Sequence, residues 1–252
     1  MKVLLSPAKA IKTENKINTS KFTEPTFIEE AGYLVNKLKK FSAKKIKEMM
    51  HVSDDIAHLN FNRYQNWEPS ASLSEEKTQA IAAFNGEAYR GFDAGSLSPE
   101  ELDRAQDTVR ILSGLYGILK PLDILYPYRL EMGTKWAVTP SKKNLYQYWG
   151  DKLADAINAE EQEVIVNVAS NEYFKAVNPK KLKARVITPV FKEFKEGQYK
   201  VIMVFAKNAR GAMARFIVQN NITDPEEIKL FNIGGYQFDA NLSAENEWVF
   251  TR

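Results

Sequence analysis

The sequence predicts an α/β fold, or the closely related α+β class, in which one mixed sheet is flanked by helices. Short apolar runs typical of buried strands lie near the start, in the middle and at the end of the chain, and longer helical patterns separate them. We expect the early strand to pair with the later ones, which would join both halves of the chain in one sheet. A single domain over residues 1–252 is therefore predicted.

The first half of the chain contains one predicted strand followed mainly by helices. The run KVLLS reads as a buried strand that is closed by Pro7. Ser98-Pro99-Glu100-Glu101 offers an N-cap, a proline at the first helical position and a capping-box glutamate, and it predicts a helix that runs towards Leu112. Gly114 and Gly117 would end that helix. Four earlier segments have helical patterns: PTFIEEAGYLVNKLKKF, SAKKIKEMM, SDDIAHLNFNRY and SEEKTQAIAAF.

The second half is predicted to alternate between strands and short helices. Lys195-Glu196-Gly197-Gln198 is a hairpin signal between two β-rich runs, ARVITPVFKEF and QYKVIMVFAK. A final pair of strands is predicted in YQFDANLSAENEWVF, and a lone apolar strand in EVIVNVAS. The predicted helices are NLYQYWGDKLADAIN, residues 171–177, ARGAMARFIVQN and a short one capped by Asp224-Pro225-Glu226-Glu227.

Composition excludes several classes of function. The chain has no cysteine, which excludes disulfides, thiolate catalysis and cysteine-ligated zinc or iron–sulfur sites. The apolar run in MKVLLSPAK is too short for a signal peptide or a membrane span, so we expect a cytoplasmic protein with no membrane partner. His51, Asp55 and His58 would share one face of an unbroken helix, but Ser53 is a typical N-cap that would break it. We predict no metal site and no cofactor.

Positive charge is concentrated in two blocks. Residues 1–50 carry eleven Lys and Arg against five acids, and residues 175–215 carry eleven against two, whereas 51–110 and 216–252 are acidic. A folded surface with one positive side would suit nucleic acid or another polyanion. Solvated lysines on helix faces would give the same pattern.

Polar residues follow three predicted strands, and ligands gather at such strand ends in sheets flanked by helices. They are Ser6 and Lys9 after the first strand, Ser170 and Glu172 after EVIVNVA, and Lys207 and Arg210 after KVIMVFA. The third set, with Arg215, lies around the start of a predicted helix, where the macrodipole disfavours cations. An anion held there would account for them, although Arg210 could instead pair with a distant carboxylate.

Arg129 and Glu131 stand two residues apart within SGLYGILKPLDILYPYRLEMG, so an extended chain would put both on one face. The pair could be a structural ion pair or part of a binding or catalytic site. The nearby Gly114-Leu115-Tyr116-Gly117 lacks the spacing of a phosphate loop and does not follow a predicted strand.

Two short predicted helices, SAKKIKEMM and DDIAHLNFNRY, are separated only by His51-Val52-Ser53. This arrangement resembles a helix-hairpin-helix, a unit that binds DNA without sequence specificity through backbone N–H groups, although the usual hairpin glycines are missing. The adjacent cations are Lys44, Lys45, Lys47 and Arg63.

A set of motifs in chain order resembles the YaaA peroxide-stress family. The motifs are Ser6-Pro7-Ala8-Lys9, Leu112-Ser113-Gly114-Leu115-Tyr116-Gly117, Pro121-Leu122-Asp123, Tyr128-Arg129-Leu130-Glu131-Met132-Gly133, Tyr148-Trp149-Gly150, Asn167 through Ala169-Ser170 to Glu172-Tyr173-Phe174, and Lys207 through Ala209-Arg210-Gly211. The resemblance implies a cytosolic bacterial protein that limits oxidative damage by keeping unincorporated iron low. It also implies a single α/β domain with a positively charged cleft and a DNA-binding helix-hairpin-helix, and it implies no established reaction.

The leading hypothesis is a DNA-binding protein of the peroxide response that contacts the phosphate backbone without reading sequence. The candidate DNA- or anion-binding residues are Lys9, Lys44, Lys45, Lys47, Arg63, Lys120, Arg129, Lys175, Lys180, Lys181, Lys183, Lys207, Arg210 and Arg215.

The alternative hypothesis is an enzyme that acts on a small substrate bearing a phosphate or carboxylate. Its candidate catalytic residues are Lys9, Asp123, Arg129, Glu131, Glu172 and Tyr173, with Lys207 and Arg210 as further anion-binding groups. A shared pocket would support this hypothesis, and scattered positions would exclude it. Iron sequestration by the chain itself has little support from two histidines and no cysteine.

Overall fold

The computed structural model describes residues 1–14, 16–69, 74 and 77–252. The strands in these ranges are β1 (Lys2–Leu5), β2 (Ala10–Ile11), β3 (Thr78–Gln79), β4 (Phe84–Asn85), β5 (Val109–Ser113), β6 (Gly117–Leu119), β7 (Ile124–Leu125), β8 (Val164–Asn167), β9 (Arg185–Lys195), β10 (Gln198–Lys200), β11 (Gln237–Phe238) and β12 (Glu247–Thr251).

The helices in the same ranges are α1 (Ile28–Leu38), α2 (Ala43–Met50), α3 (Asp54–Asn66), α4 (Ala80–Ala83), α5 (Glu87–Phe92), α6 (Pro99–Thr108), α7 (Leu145–Trp149), α8 (Lys152–Asn158), α9 (Asn171–Phe174) and α10 (Met203–Gln219). Short 3₁₀ helices cover Ala94–Ser96, Lys175–Val177, Pro179–Lys181, Pro225–Leu230 and Ile233–Gly235. No helix in the described ranges is both long and apolar enough to span a membrane.

The central sheet has the strand order β11-β12-β9-β8-β1-β5-β6, and β10 pairs with β9. The four central pairings, from β12 to β5, are parallel, and the three outer ones are antiparallel. Val3 of β1 lies opposite Val109 on one side and Val166 on the other. The mixed sheet and the joining of both halves of the chain are therefore confirmed.

The strand β1 is fully enclosed, since Val3, Leu4 and Leu5 have no exposed surface. Parallel strands covered by helices on both faces read as continuous apolar runs, and this explains why KVLLS is recognisable in the sequence. The carboxyl ends of β1, β8 and β5 meet at one edge of the sheet, because the three strands are adjacent and parallel.

The helix launched at Ser98 ends earlier than its sequence predicts. Its capping box forms, since Ser98 Oγ accepts the Glu101 N–H at 3.2 Å and Glu101 Oε2 accepts the Ser98 N–H at 2.7 Å. The helix stops at Thr108, and Val109–Ser113 becomes β5, which is buried beside β1. The prediction that this helix runs towards Leu112 and ends at Gly114 was wrong, because pairing with β1 outweighs local helical pattern.

The run QYKVIMVFAK is a strand only as far as Lys200. The helix α10 begins at Met203 and packs against α5 and β9, so Lys207 and Arg210 lie in its second and third turns. The prediction of a strand that leads to Lys207 was wrong. The helix macrodipole acts within the first turn, so it does not disfavour cations at Lys207 and Arg210, and it gives no reason to expect an anion there. Arg215 lies further along the same helix.

Two other predicted helices are shorter or interrupted. In SEEKTQAIAAF only Ala80–Ala83 is helical, between β3 and β4, and residues 75 and 76 lie outside the described ranges. NLYQYWGDKLADAIN forms α7 and α8 around Gly150, whose φ of +53° ends the first helix. The β9–β10 hairpin, α9 with its 3₁₀ extension and the final pair of strands are confirmed.

The helices α5 and α10 approach so closely that their backbones touch. A Cβ added to Gly211 would lie 1.7 Å from Ala88 O, and one added to Gly91 would lie 2.0 Å from Asn208 O. Only glycine fits at either position. This contact sets how deeply α10 sits against the edge of the sheet where β1 and β8 end.

Candidate anion-binding pocket

A cavity of about 770 Å³ opens at the carboxyl ends of β1 and β8. Its walls are formed by the residues that follow β1, the start of α5, the segment 128–131, the start of α9 and the second and third turns of α10. Open α/β sheets place their ligands at this kind of edge.

Ser6 and Ser170 line this one cavity, and so do seven of the eight candidate residues of the enzyme hypothesis, all but Asp123. The seven are Lys9, Arg129, Glu131, Glu172, Tyr173, Lys207 and Arg210. The constellation on which the enzyme hypothesis depends is therefore shared rather than scattered. Tyr89, Gly133 and Met203 were not predicted, and they belong to the same region.

Hydrogen bonds between neighbouring strand ends hold the cavity floor together. The Ser170 N–H donates to Ser6 Oγ at 2.8 Å, and the Tyr89 hydroxyl donates to Ser6 O at 2.9 Å. These bonds join the end of β1 to the end of β8 and to α5. They explain why polar residues just beyond two different strands converge.

The end of β5 positions the segment 128–131. The Tyr128 hydroxyl and Ser113 Oγ lie 2.6 Å apart, and a Cβ on Gly114 would stand 2.2 Å from Leu130 O. Gly114 therefore permits a close backbone approach beyond a strand, and does not cap a helix. The Tyr64 hydroxyl donates to Arg129 O and fixes the same segment from α3.

Glu131 is held between two cations. Its Oε1 accepts from Arg129 Nη2 at 2.9 Å and its Oε2 lies 2.8 Å from Lys9 Nζ. Arg129 is half-buried, and its buried Nε has no hydrogen-bond partner among the described residues. The predicted ion pair between Arg129 and Glu131 exists and lies in the wall of the cavity, and a role of the pair in binding or catalysis stays a prediction.

Glu172 has a different environment. Its Oε1 accepts the Gly133 N–H at 2.8 Å, and no cation of the described residues lies within ion-pair distance of its carboxylate. The Tyr146 hydroxyl donates to Glu172 O at 3.1 Å. Glu172 therefore enters the pocket as a carboxylate that carries an uncompensated charge.

Lys207 and Arg210 are cations without an ion-pair or hydrogen-bond partner among the described residues. Burial alone lowers the pKa of the half-buried Arg210, with no carboxylate to offset it. Arg215, by contrast, donates to Phe92 O at 2.8 Å and to Asp93 O at 2.6 Å, and so fastens α10 to the end of α5. Lys207 and Arg210 are the cations available to an anion in the cavity.

The pocket tyrosines have hydroxyl groups that are already hydrogen-bonded within the protein. Tyr128 and Tyr89 already hydrogen-bond to Ser113 and Ser6. Burial strongly raises the pKa of Tyr173, which lies against the backbone at Met132. The Tyr173 phenol therefore stays protonated near neutral pH, and we expect it to contribute packing rather than a base.

Asp123 lies outside the cavity. The residue is 1% exposed, and its carboxylate accepts from Thr23 Oγ1 at 2.6 Å and from the Lys120 N–H at 2.8 Å. Burial raises its pKa from the ordinary 3.8 to about 6, against the opposing effect of these hydrogen bonds and of the Lys120 charge. Asp123 caps the turn before β7.

The remaining predicted DNA contacts lie elsewhere. Lys44 and Lys45 are exposed on α2, and Lys47 pairs with Asp54 at 2.7 Å. Arg63 is half-buried on α3, and burial lowers its pKa. The cluster that follows α9 comprises Lys175, which lies 5.1 Å from the centre of the Tyr146 ring, Lys181, paired with Asp151 at 3.4 Å, and the exposed Lys180 and Lys183.

The connection between α2 and α3 has the predicted break. His51 ends α2 with a left-handed φ of 52°, and Ser53 Oγ accepts the Ile56 N–H at 3.4 Å to start α3. His58 Nδ1 lies 2.9 Å from Asp54 O. Within the described ranges, no three His, Asp or Glu side chains are grouped to hold a metal ion.

Comparison with known proteins gives the family. A family model described as peroxide stress protein YaaA matches residues 1–242, which include all of the pocket. The chain belongs to this family.

Curated relatives of the family match over nearly their whole length. They include the UPF0246 proteins of Burkholderia cenocepacia strain HI2424, 49% identical over 258 residues, and of Paraburkholderia phytofirmans strain PsJN, 48% identical; each alignment covers 100% of this chain and 98% of the relative. The UPF0246 protein of Burkholderia mallei strain SAVP1 is 47% identical over the same shares.

Proposed function

We propose that the protein serves the peroxide-stress response by binding a small molecule that bears a phosphate or carboxylate in the strand-end pocket, and by acting on it there. The observation that carries this proposal is Arg210, a half-buried guanidinium in a cavity with no anion of the described chain beside it. A buried charge without a partner is costly, and an anionic ligand would supply the missing partner.

The character of the cavity favours a small ligand over a polymer. Leu5, Leu130 and Val168 give it apolar walls, and its volume falls in the range of small-molecule sites. Backbone contacts to a duplex come instead from cations spread over an open surface.

The groups in the pocket suit proton transfer next to a bound anion. Arg210 and Lys207 would hold the anionic group, and a carboxylate would accept a proton from the ligand. Arg129, which is paired with Glu131, would add a further positive charge to the pocket.

Arg210→Gln tests the proposal. We expect the native protein to bind inorganic phosphate or propionate in calorimetric titration, and the variant to bind at least about tenfold more weakly, because a charge-assisted bond is lost. In a strain that lacks the protein, the native gene should restore growth in peroxide and the variant should not. Arg185→Gln, at a surface arginine that bonds to Asn246, is the matched control. Native-like phosphate and propionate binding by Arg210→Gln would contradict the proposal.

A second candidate function, DNA binding through α2 and α3, is favoured by the observed helix pair. The helices are joined by only three residues, and Lys44 and Lys45 stand exposed and without ion pairs among the described residues. Contacts of this kind would be electrostatic and independent of sequence. After exposure to peroxide, we expect cells that contain the protein to have less DNA damage and a lower level of unincorporated iron than cells that lack it.

Fluorescence anisotropy with a labelled duplex tests this second function. Affinity should fall steeply with salt, and a Lys44→Ala, Lys45→Ala double variant should bind more weakly than a Lys195→Ala, Lys200→Ala control. Arg210→Gln should leave duplex binding unchanged if the helix pair carries it. Undetectable binding at low salt, or binding indifferent to salt, would exclude a phosphate-contacting surface. The level of unincorporated iron would be compared in cells with and without the protein.

A further inference from the structure

The three carboxylates that line the pocket differ in their partners. Glu131 is bound to Arg129 and Lys9, and Glu87 is paired with Arg90. Glu172 has no cation within 4.0 Å among the described residues and accepts only one N–H, that of Gly133. A hydrogen-bond donor of a ligand would compete with two ion pairs at Glu131 and with none at Glu172. Glu172 is thus the carboxylate that can receive a hydrogen-bond donor from a ligand.

The pocket cations divide in the same way. Lys9 and Arg129 are bound to Glu131, whereas Lys207 and Arg210 are unpaired. Because Arg210 has no carboxylate within 4.0 Å, it and Glu172 do not neutralise each other, although both line the cavity. Uncompensated charges of opposite sign therefore occupy separate positions, one on α10 and the other at the start of α9.

We propose that the pocket recognises a ligand with two groups: an anionic group bound by Arg210 and Lys207, and a separate amino or hydroxyl group whose N–H or O–H meets Glu172. Glu131 is then a positioning residue that orients Arg129 and Lys9. The inference rests on the proposed small-molecule function and names the class of ligand. The apolar wall formed by Leu5 and Val168 suits a carbon chain that links the two groups.

The geometry at Gly133 supports this role for Glu172. The Gly133 N–H occupies Oε1, which leaves Oε2 for a ligand. A Cβ at residue 133 would lie 3.2 Å from Oε1, tighter than ordinary contact, so glycine lets the backbone hold the carboxylate. If the ligand donates its proton, the Glu172 carboxylate accepts it and becomes a carboxylic acid. The electron pair of the broken bond stays on the ligand nitrogen or oxygen.

The test compares ω-aminoalkyl phosphates of two to six carbons with alkyl phosphates in which a methyl group replaces the ammonium. Each pair is titrated calorimetrically into the native protein, Glu172→Gln and Glu131→Gln, and the matching carboxylates are titrated alongside. We expect one chain length at which the native protein prefers the amino compound by about tenfold. The preference should vanish in Glu172→Gln and persist in Glu131→Gln. Circular dichroism checks that each variant is folded.

The outcomes separate the two proposals. If unsubstituted phosphates or carboxylates bind through Arg210 but no amino compound is preferred at any length, the two-group ligand is refuted and the anion pocket stands. A preference lost in Glu131→Gln and kept in Glu172→Gln also refutes it, since Glu131 would then be the acceptor. If the native protein binds neither series, the anion pocket and the two-group ligand fall together.

Discussion

Two fully buried cations outside the pocket have carboxylate partners. Arg110 is 2% exposed, and its Nε and Nη2 donate to the two oxygens of Glu160 at 2.7 and 2.5 Å. Lys77 is also buried, and it pairs with Glu68 at 2.9 Å. Such pairing is favoured because a buried charge without its partner destabilises the folded protein. Arg63 and Arg210 are both half-buried and unpaired among the described residues, and of these two only Arg210 lines the cavity.

Asp123 predicts a pH dependence of stability. Its pKa is higher in the folded protein, about 6, than in the unfolded chain, so the folded state holds the proton more tightly. Its contribution is therefore most favourable below about pH 4, and it falls as pH rises to about 6, by about 3 kcal/mol in the free energy of unfolding. The stability difference between native protein and Asp123→Asn, measured by urea unfolding, should shift by this amount in favour of the variant.

Asp155→Asn, at an exposed position on α8, is the control for the Asp123 measurement. Its curve corrects the Asp123→Asn curve for the loss of one carboxyl group from the protein. A level difference for Asp123→Asn after this correction would mean that the Asp123 carboxyl titrates at an ordinary pKa, despite its burial.

At the scale of elements, the contact between α5 and α10 decides where the pocket cations stand. Gly91 and Gly211 let the two backbones touch, and Arg210 precedes Gly211 directly. Arg215 adds hydrogen bonds to Phe92 O and Asp93 O at the end of α5. Backbone contact with α5 therefore sets the position of α10. The position of α10 in turn sets where its pocket-facing side chains lie.

Gly211→Ala should destabilise the protein by about 3 kcal/mol or more. The new methyl group would overlap Ala88 O, so the helices must separate, and overpacking against backbone cannot be relieved by a rotamer change. Guanidinium unfolding measures the loss, and phosphate binding to Arg210 should weaken with it.

Gly32→Ala in α1 is the matched control. Its Cβ would meet the Trp67 ring at an ordinary 3.6 Å, so higher helix propensity should leave the protein unchanged or stabilise it by up to about 1 kcal/mol. Equal effects of the two substitutions would show that the α5–α10 contact is not as tight as described.

For the whole molecule, one sheet draws strands from residue 2 to residue 251. Trp149 packs beneath Gly117, and Trp248 lies in β12 near the other side of the sheet. Both indoles are buried, at 0% and 3% exposure. Strands from both ends of the described chain thus share one sheet.

We therefore expect one cooperative unfolding transition. Trp248→Phe would remove the indole in β12 and leave Trp67, Trp136 and Trp149 as probes, and Trp149→Phe would keep Trp248. Both variants should give fluorescence midpoints equal to their circular-dichroism midpoints. Two separated transitions, or midpoints that differ between the probes, would indicate independently folding units instead of the single domain over residues 1–252.

Much of the site could be predicted because its residues follow strands that the sequence marks clearly. β1 and β8 are continuous apolar runs, and adjacent parallel strands bring Lys9 and Glu172 to one edge. Sequence could not separate α6 from β5, since the buried pairing of Val109–Ser113 depends on β1, more than 100 residues away. Nor could it place the start of α10, because short apolar runs such as VIMVF suit either class.

Asp123 shows another limit of sequence reasoning. The residue type and its turn-rich setting match a catalytic acid, yet its partners, Thr23 and the Lys120 N–H, become visible only in the fold. The role of Gly133 could not be predicted either, because it depends on the contact that a Cβ at this position would make with Glu172.

The central position of β1 also constrains how the chain is made. This strand leaves the ribosome before both of its neighbours, and its pairing residues lie near 109 on one side and 166 on the other. During synthesis β1 has no partner strand until β5 has emerged, and its second edge has none until β8 follows. Nascent chains shorter than about 170 residues should therefore expose one edge of KVLLS to chaperones, and the pocket edge can form only after that length is passed.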